Sequence, residues 1–177
     1  MQIDIGFGDP LVPGSASLCL PAMLDFPAPD IQGYSHESMI AEKLQTMVRM
    51  GEINSRMKDF YDVWLLATHF HFDGSILAQA IRETFEQRQT ALPRSLSTLS
   101  KALPRSPEKQ RQWRAFIQRS QLEHAPEELH LAIGTISDFL APVVQALLKN
   151  QTVAQQLCAG GPWQATAPPQ PKMIDRH

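Results

Sequence analysis

A chain of 177 residues with 43% apolar and 19% charged side chains can bury one ordinary core, which argues for a single domain with a loose end rather than several domains. Its net charge of -2 and pI near 6.3 give no global attraction to nucleic acid and leave room only for a local basic groove. No apolar run approaches the ~20 residues of a bilayer span, and the first residues lack the basic-then-apolar order of a signal peptide, so the expected compartment is the cytoplasm with no membrane segment. Cys19 and Cys158 are far apart and fit no metal-ligand spacing, which reads as two unpaired thiols.

Residues 2–8 alternate, with Ile3, Ile5 and Phe7 on one side and Asp4 on the other, the period of a half-buried strand. A second strand is expected over 18–24, at a sheet edge because of Pro21. From Ser35 onward the periodicity is helical. Ser35 caps a helix that runs to Met50 and stops at Gly51, with Met39, Ile40, Leu44, Met47 and Val48 as its apolar stripe. A second helix starts at Asn54 or Ser55 and continues to Thr68. Asp73 caps a third, ending near Arg88. Residues 90–106 read as a loop, in which Ala-Leu-Pro-Arg-Ser occurs twice. Ser106, Pro107 and Glu108 open a fourth helix to Ser120, with Trp113, Phe116 and Ile117 inward. A fifth begins at Pro126 and meets Pro142, which removes a backbone donor. Beyond Asn150 the glycines and prolines are expected to order poorly. The fold class is therefore α+β: a remnant of a small sheet over 1–34, a helical region over 35–150 and a loose tail over 151–177.

Lys43 carries the most information, because it falls about 60° from Ile40 on a helical wheel, inside the apolar arc. A lysine there either snorkels past its neighbours or holds its amine at the wall of a cleft, facing phosphate. Asp59 and Asp62 lie on one face of the second helix, opposite Met57, Phe60 and Trp64. Carboxylates so close repel unless a cation joins them, and Lys58, Arg56 or the preceding helix can supply it as a plain ion pair. Near Lys43, the same acids acquire a use in phosphoryl or nucleotidyl transfer. His69 and His71, two apart, do not face one way on a helix. Lys101, Arg105, Lys109, Arg111, Arg114 and Arg119 make the fourth helix basic, either as a solvated face or as a guide for an RNA backbone.

The ordered set Ile3-Asp4-Ile5-Gly6-Phe7-Gly8, Ile40-Ala41-Glu42-Lys43-Leu44 and Ser55-Arg56-Met57-Lys58-Asp59-Phe60-Tyr61-Asp62, continued by Ala80 to Phe85 and Trp113, resembles the AbiEii/AbiGii toxin family over most of residues 1–148. The resemblance implies a polymerase-beta-like nucleotidyltransferase fold with a mostly helical C-terminal part. It also implies a toxin of an abortive-infection toxin–antitoxin system that transfers NMP from an NTP, with Mg²⁺, to an acceptor such as tRNA or another RNA, and a cognate antitoxin as partner. Lys43 matches the family's catalytic lysine in its A-E-K-L motif, and Asp59 and Asp62 match its K-D-x-x-D motif. Lys43 and Lys58 are then expected on the nucleotide, and Asp4, with Asp9 close by, on a metal.

The sequence departs from the family pattern at its start. Members open with a glycine-rich turn, a serine or threonine and a D-x-D strand, and nothing before Asp4 supplies these. Gly14-Ser15 follows that strand instead of preceding it, and Asp25 is followed by Phe26 and Pro27. The expectation is an N-terminally truncated chain, inactive alone, with an unpaired sheet edge. One alternative is a non-catalytic remnant that binds an antitoxin or another protein. Another is an unrelated helical interaction protein, in which Lys43 and Asp59 would lie far apart.

Overall fold

The computed structural model describes residues 10–22, 25–96 and 106–165. Asp4, the strand expected over 2–8, the end of the one expected over 18–24, and Lys101 and Arg105 lie outside the described residues.

Helix α1 (His36–Met50) begins as its sequence dictates, with the Ser35 hydroxyl accepting the Ser38 N–H at 3.1 Å and Gly51, at φ 54°, ending it. The same turn anchors the incoming chain. The Val12 N–H donates to the Ser38 hydroxyl at 2.8 Å, the Ser35 hydroxyl donates to the Val12 carbonyl, and the Val12 side chain is buried. Helix α2 (Met57–His69) starts later than expected. A 3-10 turn at Gly51–Ile53 leads into Asn54, whose fully buried side chain accepts the Arg56 N–H at 2.9 Å, and this local alternative to helical bonding holds Arg56 outside α2.

Asp73 ends the short strand β3 (Phe72–Asp73) of the C-terminal sheet and caps α3 (Gly74–Gln87), accepting the N–H groups of Ser75 and Ile76 at 2.8 and 3.3 Å. The Ser75 hydroxyl donates to the same carboxylate; that bond, ahead of the two backbone bonds, holds the Asp73 carboxyl below its ordinary pKa. Helix α4 (Pro107–Ser120) opens on its serine cap and first-turn proline. The last helix, α5 (Leu129–Leu148), begins three residues after Pro126 because α4 captures the preceding segment: Trp113 Nε1 donates to the Pro126 carbonyl at 2.8 Å, and Gln110 Oε1 accepts the Leu129 N–H at 2.9 Å.

Packing follows the apolar stripes. Helix α1 lies chiefly on α3, α2 on α5, and α4 across α2 and α5. Ile40, Leu44, Met47, Phe60, Leu77, Ile81, Phe85, Trp113 and Ile133 are almost wholly excluded from water, each large side chain contributing roughly 1.5–3 kcal/mol by burial. By length and composition α5 could cross a bilayer, although Asp138 and Gln145 interrupt its apolar run; here its buried face, from Ala132 and Ile136 to Leu140 and Val144, closes the core.

Two small antiparallel sheets accompany the helices, so the fold is α+β. In the first, β1 (Ala16–Cys19) pairs with β2 (Asp30–Gly33), Leu18 opposite Ile31. The first of these strands stops before Pro21, which has no N–H to offer, and Leu18, Leu20, Phe26 and Ile31 stay exposed. Cys19 and Cys158 are both free thiols on the surface. In the second, β3 is joined by β4 (Gln155–Leu157) and β5 (Trp163–Ala165) in the order β3-β4-β5. Two of these strands fall in the span after Asn150 that is expected to order poorly, of which residues 166–177 lie outside the described residues. Gly160, at φ 65°, and Gly161-Pro162 form the turn of a hairpin whose Val153 and Leu157 are buried, and whose Trp163 stacks on Phe139 with ring centroids 5.9 Å apart.

Gly74 is where that hairpin meets the helices. A Cβ there would lie 2.4 Å from Val153 Cγ1 and 2.8 Å from the Gln155 carbonyl, so Gly74→Ala should lower stability by about 1–3 kcal/mol in denaturant titration; an unchanged midpoint would show that the hairpin is not docked there. Asp73→Ala should cost about 1 kcal/mol at neutral pH. Because the folded-state pKa of Asp73 is depressed, that contribution is present above the unfolded carboxyl pKa and lost as pH falls through the folded one. Parent and variant stability curves measured from pH 7 to 2 should therefore converge at the acid end, and a gap that persists there would exclude the capping carboxylate as its source.

Candidate functional site

Lys43 projects from the middle of α1 toward the first two turns of α2, where Asp59 and Asp62 share a face. Its ammonium bridges them, with Nζ 2.9 Å from Asp59 Oδ1 and 2.7 Å from Asp62 Oδ2. The three side chains retain only 16, 13 and 15% of their exposure, enough burial to strengthen the pairing and too little to exclude water. Burial alone would lower the Lys43 pKa. Hydrogen bonds to Asp62 and Asp59, together with their charges, outweigh it and raise the pKa above the ordinary lysine value.

A second tier of cations surrounds this bridge. Lys58 Nζ lies 2.6 Å from Asp62 Oδ2, one helical turn away, and Arg56 Nε lies 3.7 Å from Asp59 Oδ2. Both side chains are mostly in solvent. From α1 and the end of α3, Glu42 and Arg88 approach the same space, paired at 3.4 Å, with Arg88 Nη1 also donating to the buried Gln45 at 3.2 Å. Together with Tyr34, Met39 and Thr46 these groups enclose a cleft of about 570 Å³, lined by four cationic and three acidic side chains.

The arrangement that would have separated Lys43 from Asp59 is excluded: the sequence-derived trio converges from two consecutive helices, and Lys58 stands at its rim. Sequence reading missed Arg88 and Glu42 as parts of this wall. Their signal is weak, because nothing local says that the last turn of α3 returns to the middle of α1. Lys109, counted as part of a basic surface on α4, is instead buried, while Arg111, Arg114 and Arg119 are exposed and Arg114 is paired with Glu128. A second cavity of about 550 Å³, between α5 and the β4–β5 turn, is mostly apolar and has Asp138 as its one charged group.

The cleft can neutralise an anion, since its acids are engaged by ammonium groups and its outer cations reach into solvent. It does not by itself fit a bound divalent metal. Asp59 and Asp62 each accept from a lysine, and among the described residues no group of three or more acid, histidine or cysteine side chains converges.

No curated protein and no solved structure matches the chain. The family described as nucleotidyl transferase AbiEii toxin, type IV toxin–antitoxin system, matches residues 1–150. That span holds α1 and α2 with Lys43, Asp59 and Asp62, and it takes in all of the cleft described above; the chain belongs to the AbiEii nucleotidyltransferase toxin family.

Proposed function

We propose that the cleft between α1 and α2 binds the triphosphate of an NTP, with Lys43 as its central cation, in a toxin that transfers NMP to an RNA acceptor such as tRNA. One observation carries this reading: a half-buried ammonium, held by Asp59 and Asp62, at the floor of a cleft rimmed by Arg56, Lys58 and Arg88. A phosphate oxygen is a better partner for such a cluster than neutral substrate groups, because each contact is charge-assisted. Asp59 and Asp62 keep the lysine charged and aimed; either carboxylate, released when phosphate takes over the ammonium, is a candidate acceptor for the proton of an attacking hydroxyl. Mg²⁺ is proposed to enter only as the counter-ion of the triphosphate, and no step is assigned to it. Transfer further requires the D-x-D pair of the family pattern, and the 177-residue sequence contains none. The activity proposed for this chain alone is therefore nucleotide binding without turnover. A cognate antitoxin is the proposed partner, and exposed Arg111 and Arg119 on α4 are proposed contacts for the RNA backbone.

The test is calorimetric titration of the chain with ATP and GTP. Lys43→Ala should stay folded, because Arg56 and Lys58 still flank the two carboxylates, and should weaken binding at least about tenfold. Binding equal to that of the parent would remove Lys43 from the site, and no binding by the parent would favour the remnant that serves only as a protein-binding module.

The raised Lys43 pKa gives a second test. Its ion-pair contribution to stability is complete below the ordinary lysine value and is lost as pH rises through the raised one. Asp62→Asn removes one of the two hydrogen bonds that raise it, so the alkaline fall in melting temperature should begin at lower pH in that variant. Superimposable alkaline limbs would mean that Asp62 does not hold the lysine.

A further inference from the structure

Lys109 lies in the apolar stripe of α4, one turn before Trp113, and its residue is 8% exposed. Its ammonium donates to the Asn54 carbonyl at 2.8 Å, the one acceptor it meets among the described residues. Asn54 is wholly buried, its side chain accepts the Arg56 N–H, and its own Nδ2 has no protein partner among the described residues. This junction is a poor choice for stability. Among the described residues an ammonium with three protons has one acceptor, it sits near the positive end of α2, and a buried amide donor beside it is unsatisfied. A methionine would fill the same volume without burying a charge, but it would leave the Asn54 carbonyl without this donor. What lysine adds is a directed bond across about 55 residues of sequence to the turn at Gly51–Ile53 and its exit. That turn is the base from which Arg56 and Lys58 reach the cleft, two and four residues beyond Asn54.

We infer that Lys109 is a positioning residue: through the Asn54 carbonyl it sets the angle at which the turn before α2 presents Arg56 and Lys58 to a triphosphate. The inference rests on the nucleotide reading of the cleft. The bond acts at a distance from the ligand, so its loss changes how the rim cations are held without removing Lys43 or its two aspartates from the cleft. The sequence signal is a lysine four residues before a core tryptophan, the same kind of misplaced cation that singles out Lys43.

The full chain is used for the test, with Lys109→Met, Lys109→Arg and Lys43→Met. Lys109→Met should melt close to the parent temperature, because removal of a buried charge offsets the loss of the donor to the buried Asn54 carbonyl. Hydrogen exchange at the amides of residues 54–59 should quicken about tenfold with α3 unchanged, and ATP affinity should fall about tenfold. Lys109→Arg, which keeps a donor in reach, should restore both. Exchange at 54–59 equal to the parent's would overturn the inference. A lowered melting temperature with faster exchange throughout α3 would also overturn it, by making Lys109 a residue of general stability. Lost ATP binding in Lys43→Met with parental binding in Lys109→Met would defeat the positioning role alone, whereas ATP binding retained in Lys43→Met would bring down the nucleotide reading beneath it.

Discussion

Two carboxylates three residues apart on one helix face repel each other, and in a half-buried wall water screens that repulsion poorly. The Lys43 ammonium, within hydrogen-bond distance of both Asp59 and Asp62, is the central cation that offsets this repulsion, with Lys58 and Arg56 beside it. The constraint runs in both directions. Helix α2 must enter at the rotation that turns this face toward α1, and α1 must place a cation inside its own apolar arc. The cap at Ser35, the break at Gly51 and the buried Asn54 fix those two rotations, so the loop between the helices is part of the site, to which it also supplies Arg56.

Much of this was legible before any coordinates. Lys43 stood out because a cation had replaced a hydrophobe at helical spacing, and Asp59 with Asp62 because their spacing demanded a counter-charge. The caps at Ser35, Asp73 and Ser106 fell where side chains compete for backbone donors. The starts of α2 and α5 were not legible, because each is set by a side chain that captures backbone: Asn54 for Arg56, and Gln110 with Trp113 for residues 126–129. The C-terminal hairpin was hidden by its composition. Gly160, Gly161 and Pro162 read as disordering, yet in a tight turn between two three-residue strands they are what the backbone requires, and the decisive contact, Trp163 on Phe139, joins residues 24 apart.

The electrostatic plan of the cleft has an inner and an outer part with different tolerances. Lys43 is gripped by two acids and its charge is secure well into alkaline conditions. Arg56 and Lys58 have largely exposed side chains, and their positions depend on the backbone that carries them. Salt should weaken the rim more than the floor, since exposed charges are screened over about 8 Å at physiological ionic strength. Such a division gives the cleft one fixed cation and adaptable ones beyond it.

The hairpin of β4 and β5 lies wholly past the point where the family match ends, at residue 150. Were the polypeptide shortened to that point, β3 would keep an open edge, and Phe72 and Phe139 would lose the strands that cover them. The matched region and the packed structure therefore end at different residues. Fifteen described residues beyond residue 150 help to cover the core, and a version cut at that point would be expected to clump in storage while leaving the charged cleft chemically intact.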